Sequence, residues 1–150
     1  MIRRFALVLA FFAASSCGDF PRDSDGTLER VRAERVFRVG LVAPLDVGNL
    51  DPRAKALLQR VGQAAGASPA VETGDTEPLL DRLEEGELDV VIGRFEKNSP
   101  WKTLVSFGPP LRVEKHKKTI FHLTAAARNG ENAWIGLLEA EARNAGAEEG

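Results

Sequence analysis

The sequence predicts an α/β protein: a three-layer αβα domain built on a sheet of about four or five mostly parallel strands. Three observations carry this. From Arg35 to Ile92 the apolar pattern alternates strand, helix, strand, helix, strand, an order that calls for right-handed crossovers and helices on both faces of a sheet. Leu88 to Ile92 is too apolar to have a wet face, so it reads as a central, parallel strand. A chain of 150 residues has room for one domain and one core. Composition agrees, with 43% apolar and 28% charged residues, 14 Gly and 8 Pro.

Met1 to Cys17 reads as a targeting segment and stands outside the fold. Arg3 and Arg4 make a positive start, and Phe5 to Ala14 an apolar run too short for a bilayer span, which takes roughly 20 residues. The run ends in Ala14-Ser15-Ser16-Cys17, which resembles a lipobox, the site where bacterial lipoproteins are acylated on Cys and cleaved before it. Ala14 stands where Leu is usual. The other reading is an ordinary signal peptide that leaves a spare thiol behind. Cys17 is the only cysteine, so it has no internal disulfide partner, and a free thiol is a liability outside the cytoplasm. Acylation accounts for it. The expected division is a signal peptide over 1–16, a tether from the lipidated Cys17 over 17–26, a single lobe over 27–145 and a frayed tail over 146–150. Such a lipid anchor at Cys17 places the chain on the periplasmic side of a bacterial membrane. Losing Arg3 and Arg4 takes the formal net charge from −2 to −4, which gives no reason to expect nucleic acid as a partner.

Beyond the tether, Thr27 to Arg35 is an expected helix with Asp25 or Thr27 as N-cap. Arg30, Arg32, Arg35 and Arg38 are interleaved with Glu29 and Glu34 and read as a solvated face. Arg35 to Val42 has strand character, with Gly40 at a close-packing point. Asp51-Pro52 starts a helix, Asp as N-cap and Pro at the first helical position. Ala54, Leu57, Leu58, Val61 and Ala65 fall on one face at helical spacing, and Gly66 is its natural stop. A short strand over Ala70–Glu72 follows, then a helix from Glu77 to Glu85 with Pro78 in its first turn and Gly86 ending it. Arg112 to Lys118 is polar and basic around His116, and reads as a surface turn. It is solvated, or touches lipid headgroups or an acidic partner. Thr119 to Ala126 is another strand. Asn129-Gly130 turns the chain into a helix over 131–144 with Trp134, Leu137, Leu138, Ala142 and Ala145 inside.

The stretch Leu79–Leu111 carries a resemblance. Leu83, Gly86 and Asp89, then Asp89-Val90-Val91-Ile92-Gly93, then Val105 to Pro110 resemble the signature of bacterial extracellular solute-binding proteins of family 3, the periplasmic amino-acid-binding type. Thr27 to Val42 resembles that family's opening helix and strand, and Gly130 to Trp134 the start of its last helix. In a full-length member a second lobe is inserted before the returning strand. Here Leu111 and Thr119 are eight positions apart. The resemblance implies lobe one of a type II periplasmic-binding-protein-like fold, with lobe two deleted.

Two-lobed binders close a cleft over their ligand, and one lobe offers half of that. The family's usual Arg, which pairs bidentately with a ligand carboxylate, aligns with Trp101, with Lys102 and Arg94 as nearby cations. The loop Ala43–Leu50 is short and lacks aromatics. The sequence therefore points to a non-enzymatic module that docks on a membrane or periplasmic protein through the loops at its strand ends. Leu45, Asp46, Gly93, Arg94, Phe95, Trp101 and Lys102 are the candidate ligand- or partner-binding residues. The alternative is a residual binder of an amino acid or carboxylate for an ABC transporter; a third reading is a degenerate transporter remnant. A few relatives are dehydratases, but that chemistry needs an enclosed cleft. No cofactor pattern is present, and His116 and His122 lack metal-site spacing. Trp101 is expected to lean toward exposure, as apolar surface left by the lost lobe.

Overall fold

The structure, a computed structural model, describes residues 22–147. Cys17 and the expected signal peptide lie outside the described residues. The order is α1 (Thr27–Glu34), β1 (Val36–Val42), α2 (Pro52–Ala65), β2 (Ser68–Gly74), α3 (Thr76–Glu84), β3 (Val90–Glu96), β4 (Val105–Phe107), β5 (Arg112–His116), β6 (Thr119–Arg128) and α4 (Asn132–Ala147). The strands form one sheet, ordered β2-β1-β3-β6-β4, with β5 also on β6. β2, β1 and β3 run parallel, with Val39 level with Val71 and Val90. β6 is antiparallel to β3, β4 and β5. β4 and β5 are two pieces of one edge: Val105–Phe107 pair with Arg128–Ala126, and Arg112–His116 with Leu123–Thr119.

Strand alternation divides the core between the two faces of this sheet. On one face Phe37, Val39, Leu41, Val90, Ile92 and Leu123 meet α1, α2 and α4. On the other, Val42, Val91 and Phe95 meet Leu79, Leu80 and Leu83 of α3. These are the three predicted layers. The expected inner face of α2 is buried at all five positions. Asp51 accepts from Arg53 N at 2.9 Å, and Gly66 closes the helix at φ 67°. Gly40 is a true contact point: a Cβ there would lie 3.0 Å from Leu88 Cδ1. Trp134 is fully buried, tilted against Phe37 at 5.9 Å, and its Nε1 donates to the Asp89 carbonyl at 2.7 Å. No helix among the described residues is long and apolar enough to cross a membrane.

Several expectations are corrected. α1 is not capped by Asp25 or Thr27; its N-cap is Gly26. The exposed N–H groups go instead to Asp23, which accepts from Leu28 N, and to Glu131, which accepts from Asp25 N and Thr27 N. Residues 23–25 are consequently tied to the start of α4, through an Asp23–Glu131 bridge and Ser24 N donating to Gly130 O, and are no part of a free tether. Arg30 and Arg38 are not merely solvated: both pair with Asp89, which is 3% exposed. Arg112 to Lys118 is no loop but β5 and a two-residue turn, Lys117-Lys118, into β6. α4 continues through Gly146 to Ala147, because Ala145 still packs inward.

Candidate functional site

The parallel strands β1 and β3 end on the same side of the sheet, where α/β folds place ligands. β1 hands over to a short loop in which the Ala43–Pro44 peptide is cis and Leu45 N returns to Val42 O. Asp46 then caps a 3-10 turn over Val47–Asn49, accepting from Gly48 N at 2.7 Å and Asn49 N at 2.9 Å. Its Oδ1 is thereby engaged by the loop's own backbone. Asp51 follows as the α2 N-cap, and Arg53 Nη1 reaches the Leu111 carbonyl at 3.0 Å, holding the last linker residue against the helix start.

Leu45, Asn49, Leu50, Asp51 and Pro52 form one side of a cleft of about 320 Å³; Arg94, Arg112, Glu114 and Leu123 form the other. Arg94 points here because Arg94, Leu123 and Arg112 stand level across β3, β6 and β5. Its guanidinium lies 5.5 Å over the Phe121 ring and pairs with Glu114 at 2.5 Å. Arg112 pairs with Asp51 at 2.7 Å. Two guanidiniums and two carboxylates thus share one open cleft. Leu45 and Arg94 also line a smaller hollow of about 170 Å³ with Thr76 and Phe121.

Of the predicted site residues, the structure brings only Leu45 and Arg94 together on the cleft wall. Gly93 serves packing: a Cβ there would lie 2.7 Å from Val42 Cγ2. Phe95 is core, 4.8 Å from Phe107 between ring centroids. Trp101 and Lys102 do not line the cleft, for a reason of register. Glu96 ends β3 opposite Phe121, whereas Val105 begins β4 opposite Arg128, seven positions further along β6. Residues 97–104 must therefore cross back over the α3-side face. Trp101 is half-buried on the second core there, with its backbone N–H donating to Ser99 Oγ. It covers apolar surface rather than leaving it bare. Arg112, Glu114 and Asp51 also line the cleft; Arg112–His116 holds one apolar residue, Val113, so no period-two alternation marks it as a strand in the sequence. A larger open groove, about 800 Å³, lies between α2 and β2 over Leu41, Leu58 and Val71. Among the described residues no three of His, Cys, Asp and Glu gather as metal ligands.

No protein-family profile matches the sequence, and no curated protein matches it in sequence. Solved structures do match in fold. The arginine-bound form of domain 1 of the arginine-binding protein of T. maritima superposes with a TM-score of 0.64 at 15% identity, over 77% of this chain and 97% of that one. An amino acid ABC transporter substrate-binding protein from Streptococcus pneumoniae, bound to L-arginine, gives 0.66 at 8% identity, over 82% and 93%. An ancestral cationic amino acid solute-binding protein gives 0.63 at 11%, over 79% and 93%. The fold is that of one lobe of a solute-binding protein.

Proposed function

We propose that the chain is a non-enzymatic solute-binding-type module, lipidated at Cys17 on the periplasmic side of a bacterial membrane, which docks its cleft face on a membrane or periplasmic protein. The supporting observation is the cleft's internal neutrality. Arg94 is held by Glu114 and Arg112 by Asp51, so neither cation waits for a ligand carboxylate. Among the described residues no second wall closes over the cleft, and a small solute there keeps much of its water. Val47, 72% exposed on the loop that supplies Leu45 and Asn49, offers apolar contact to a partner instead.

A second reading, residual binding of an amino acid for a transporter, is favoured by one observation: domain 1 of the T. maritima protein exists in an arginine-bound form. Pairs as exposed as Arg94–Glu114, 45% and 34%, are worth little in water and exchange readily. Thermal unfolding of residues 18–150 against amino acids, polyamines and small carboxylates separates the two. A ligand at a hundredfold excess over its Kd adds about 2.7 kcal/mol. Docking predicts no shift with any of them. A shift with arginine that Arg94→Ala abolishes establishes the second reading and overturns the first.

A further inference from the structure

We propose that the tip of the β5–β6 hairpin is a docking surface for the anionic headgroups of a phospholipid bilayer. The inference goes beyond the cleft and holds whether or not Cys17 is lipidated, because it concerns the folded lobe alone.

The first observation is where the lysines are. The chain has six, and four of them, Lys97, Lys115, Lys117 and Lys118, meet at this end. Lys115 stands opposite Ile120, and Lys117-Lys118 is the turn itself. Lys97 N donates to Ile120 O at 2.9 Å, and Lys97 shares a shallow hollow with Lys118. All four are exposed, and none pairs with a carboxylate among the described residues. The arginines behave oppositely: Arg30, Arg38, Arg60, Arg82, Arg94, Arg112, Arg128 and Arg143 each hold an acid. Other exposed cations without a carboxylate partner, such as Arg32, Arg35, Lys55 and Lys102, are spread along the chain, whereas the hairpin tip gathers four in one place. Glu96 is the acid that lines the same hollow, and Glu114 is already taken by Arg94.

The second observation is backbone strain. Lys117 has φ 54°, the left-handed region where a two-residue hairpin turn wants Asn or Gly. A bulky cation occupies it at a cost in stability, and strain of this kind collects at functional positions.

The chemistry of the surface selects the occupant. Lysine ammoniums are compact, hydrated point charges without the planar fork that grips one carboxylate or phosphate. The hollow beside them, about 220 Å³ and open, is lined by the Glu96 carboxylate as well as by Lys97 and Lys118, which disfavours it as a trap for a single anion. Dispersed cations with no pocket suit a diffuse sheet of negative charge, where each lysine near the surface strengthens binding several-fold. Val113, 59% exposed, lies on the same strand face as Lys115 and adds an apolar contact at headgroup depth.

The test is flotation of residues 18–150, which contain every described element, with vesicles of phosphatidylcholine alone and of equimolar phosphatidylcholine and phosphatidylglycerol. Binding is expected only to the anionic vesicles, and is expected to fall as salt rises. Changing Lys115, Lys117 and Lys118 together to Gln should weaken it on the order of a hundredfold, while Lys55→Gln leaves it unchanged. Lys117→Gly should weaken binding several-fold yet melt no lower than the parent, a combination that a merely structural turn residue does not produce. That variant also decides the matter if the triple change fails to fold. Equal binding to neutral vesicles, no binding to either, or unchanged binding by the variants overturns the proposal. So does capture by a poly-glutamate peptide without binding to phosphatidylglycerol, which would assign the tip to an acidic protein.

Discussion

Asp89, just before β3, joins several elements of the molecule. Its carboxylate accepts from Arg38 N at 2.7 Å and from the guanidiniums of Arg30 and Arg38. Its own N–H donates to Arg38 O at 2.9 Å, and its carbonyl receives Trp134. One residue thereby ties α1, β1, β3 and α4. Removing one member of a buried charge set is costly, and Arg30 and Arg38 keep 28% and 36% side-chain exposure, so Asp89→Ala should lose about 3 kcal/mol in urea unfolding. Glu131 is the second such residue. Burial alone pushes its carboxyl up, but the N–H groups of Thr27 and Asp25 and the charge of Arg128 outweigh that and hold it below its ordinary value. A carboxylate held down in the folded state stabilises above the unfolded pKa, and that contribution is lost as pH falls through the folded one. Glu131→Gln should therefore cost about 1–2 kcal/mol near neutrality and flatten the loss of stability below about pH 4, measured as Tm against pH.

At the scale of elements, chain segments distant in sequence complete one another. α1 has eight residues and its first turn is capped by Asp23 and by Glu131, over a hundred positions away. The crossing segment 97–104 acts as a partial fourth cover on the α3 side, with Trp101 resting on the cluster of Phe95, Val105 and Phe107. Trp101→Ala should cost about 2–3 kcal/mol, below a fully buried Trp because the ring is only half-covered. In the hairpin, Lys117→Gly should raise stability by up to about 1 kcal/mol by relieving the left-handed turn. Gly93→Ala tests the opposite case: its Cβ would meet Val42 at 2.7 Å, and overpacking of this kind costs about 1–3 kcal/mol.

Across the whole molecule, the far edge of the sheet is completed by a hairpin. β5 fills the sheet edge beside β6, and its Arg112 and Glu114 supply the wall that neutralises Asp51 and Arg94. The same hairpin carries the open lysines at its tip. Charge is thus balanced in the cleft and unbalanced at the end of the sheet, so Arg94→Ala and a lysine change at the tip should have separable effects. The first is read in ligand-induced Tm shifts and the second in vesicle binding.

What the sequence determined by itself is local. The burial of α2 follows from the spacing of Ala54, Leu57, Leu58, Val61 and Ala65, its ends from Asp51-Pro52 and Gly66, and the central place of β3 from a run with no wet face. Those signals are periodic and need only neighbouring residues to be read. The tertiary structure alone decided which arginine meets which acid, that residues 97–104 cross the sheet and take Trp101 with them, and that Glu131 caps α1. It also turned a basic stretch into β5. Each of these depends on partners brought together by strand register. A polar side chain leaves no periodic trace of the distant group it will meet, so its role is set only when the sheet has formed.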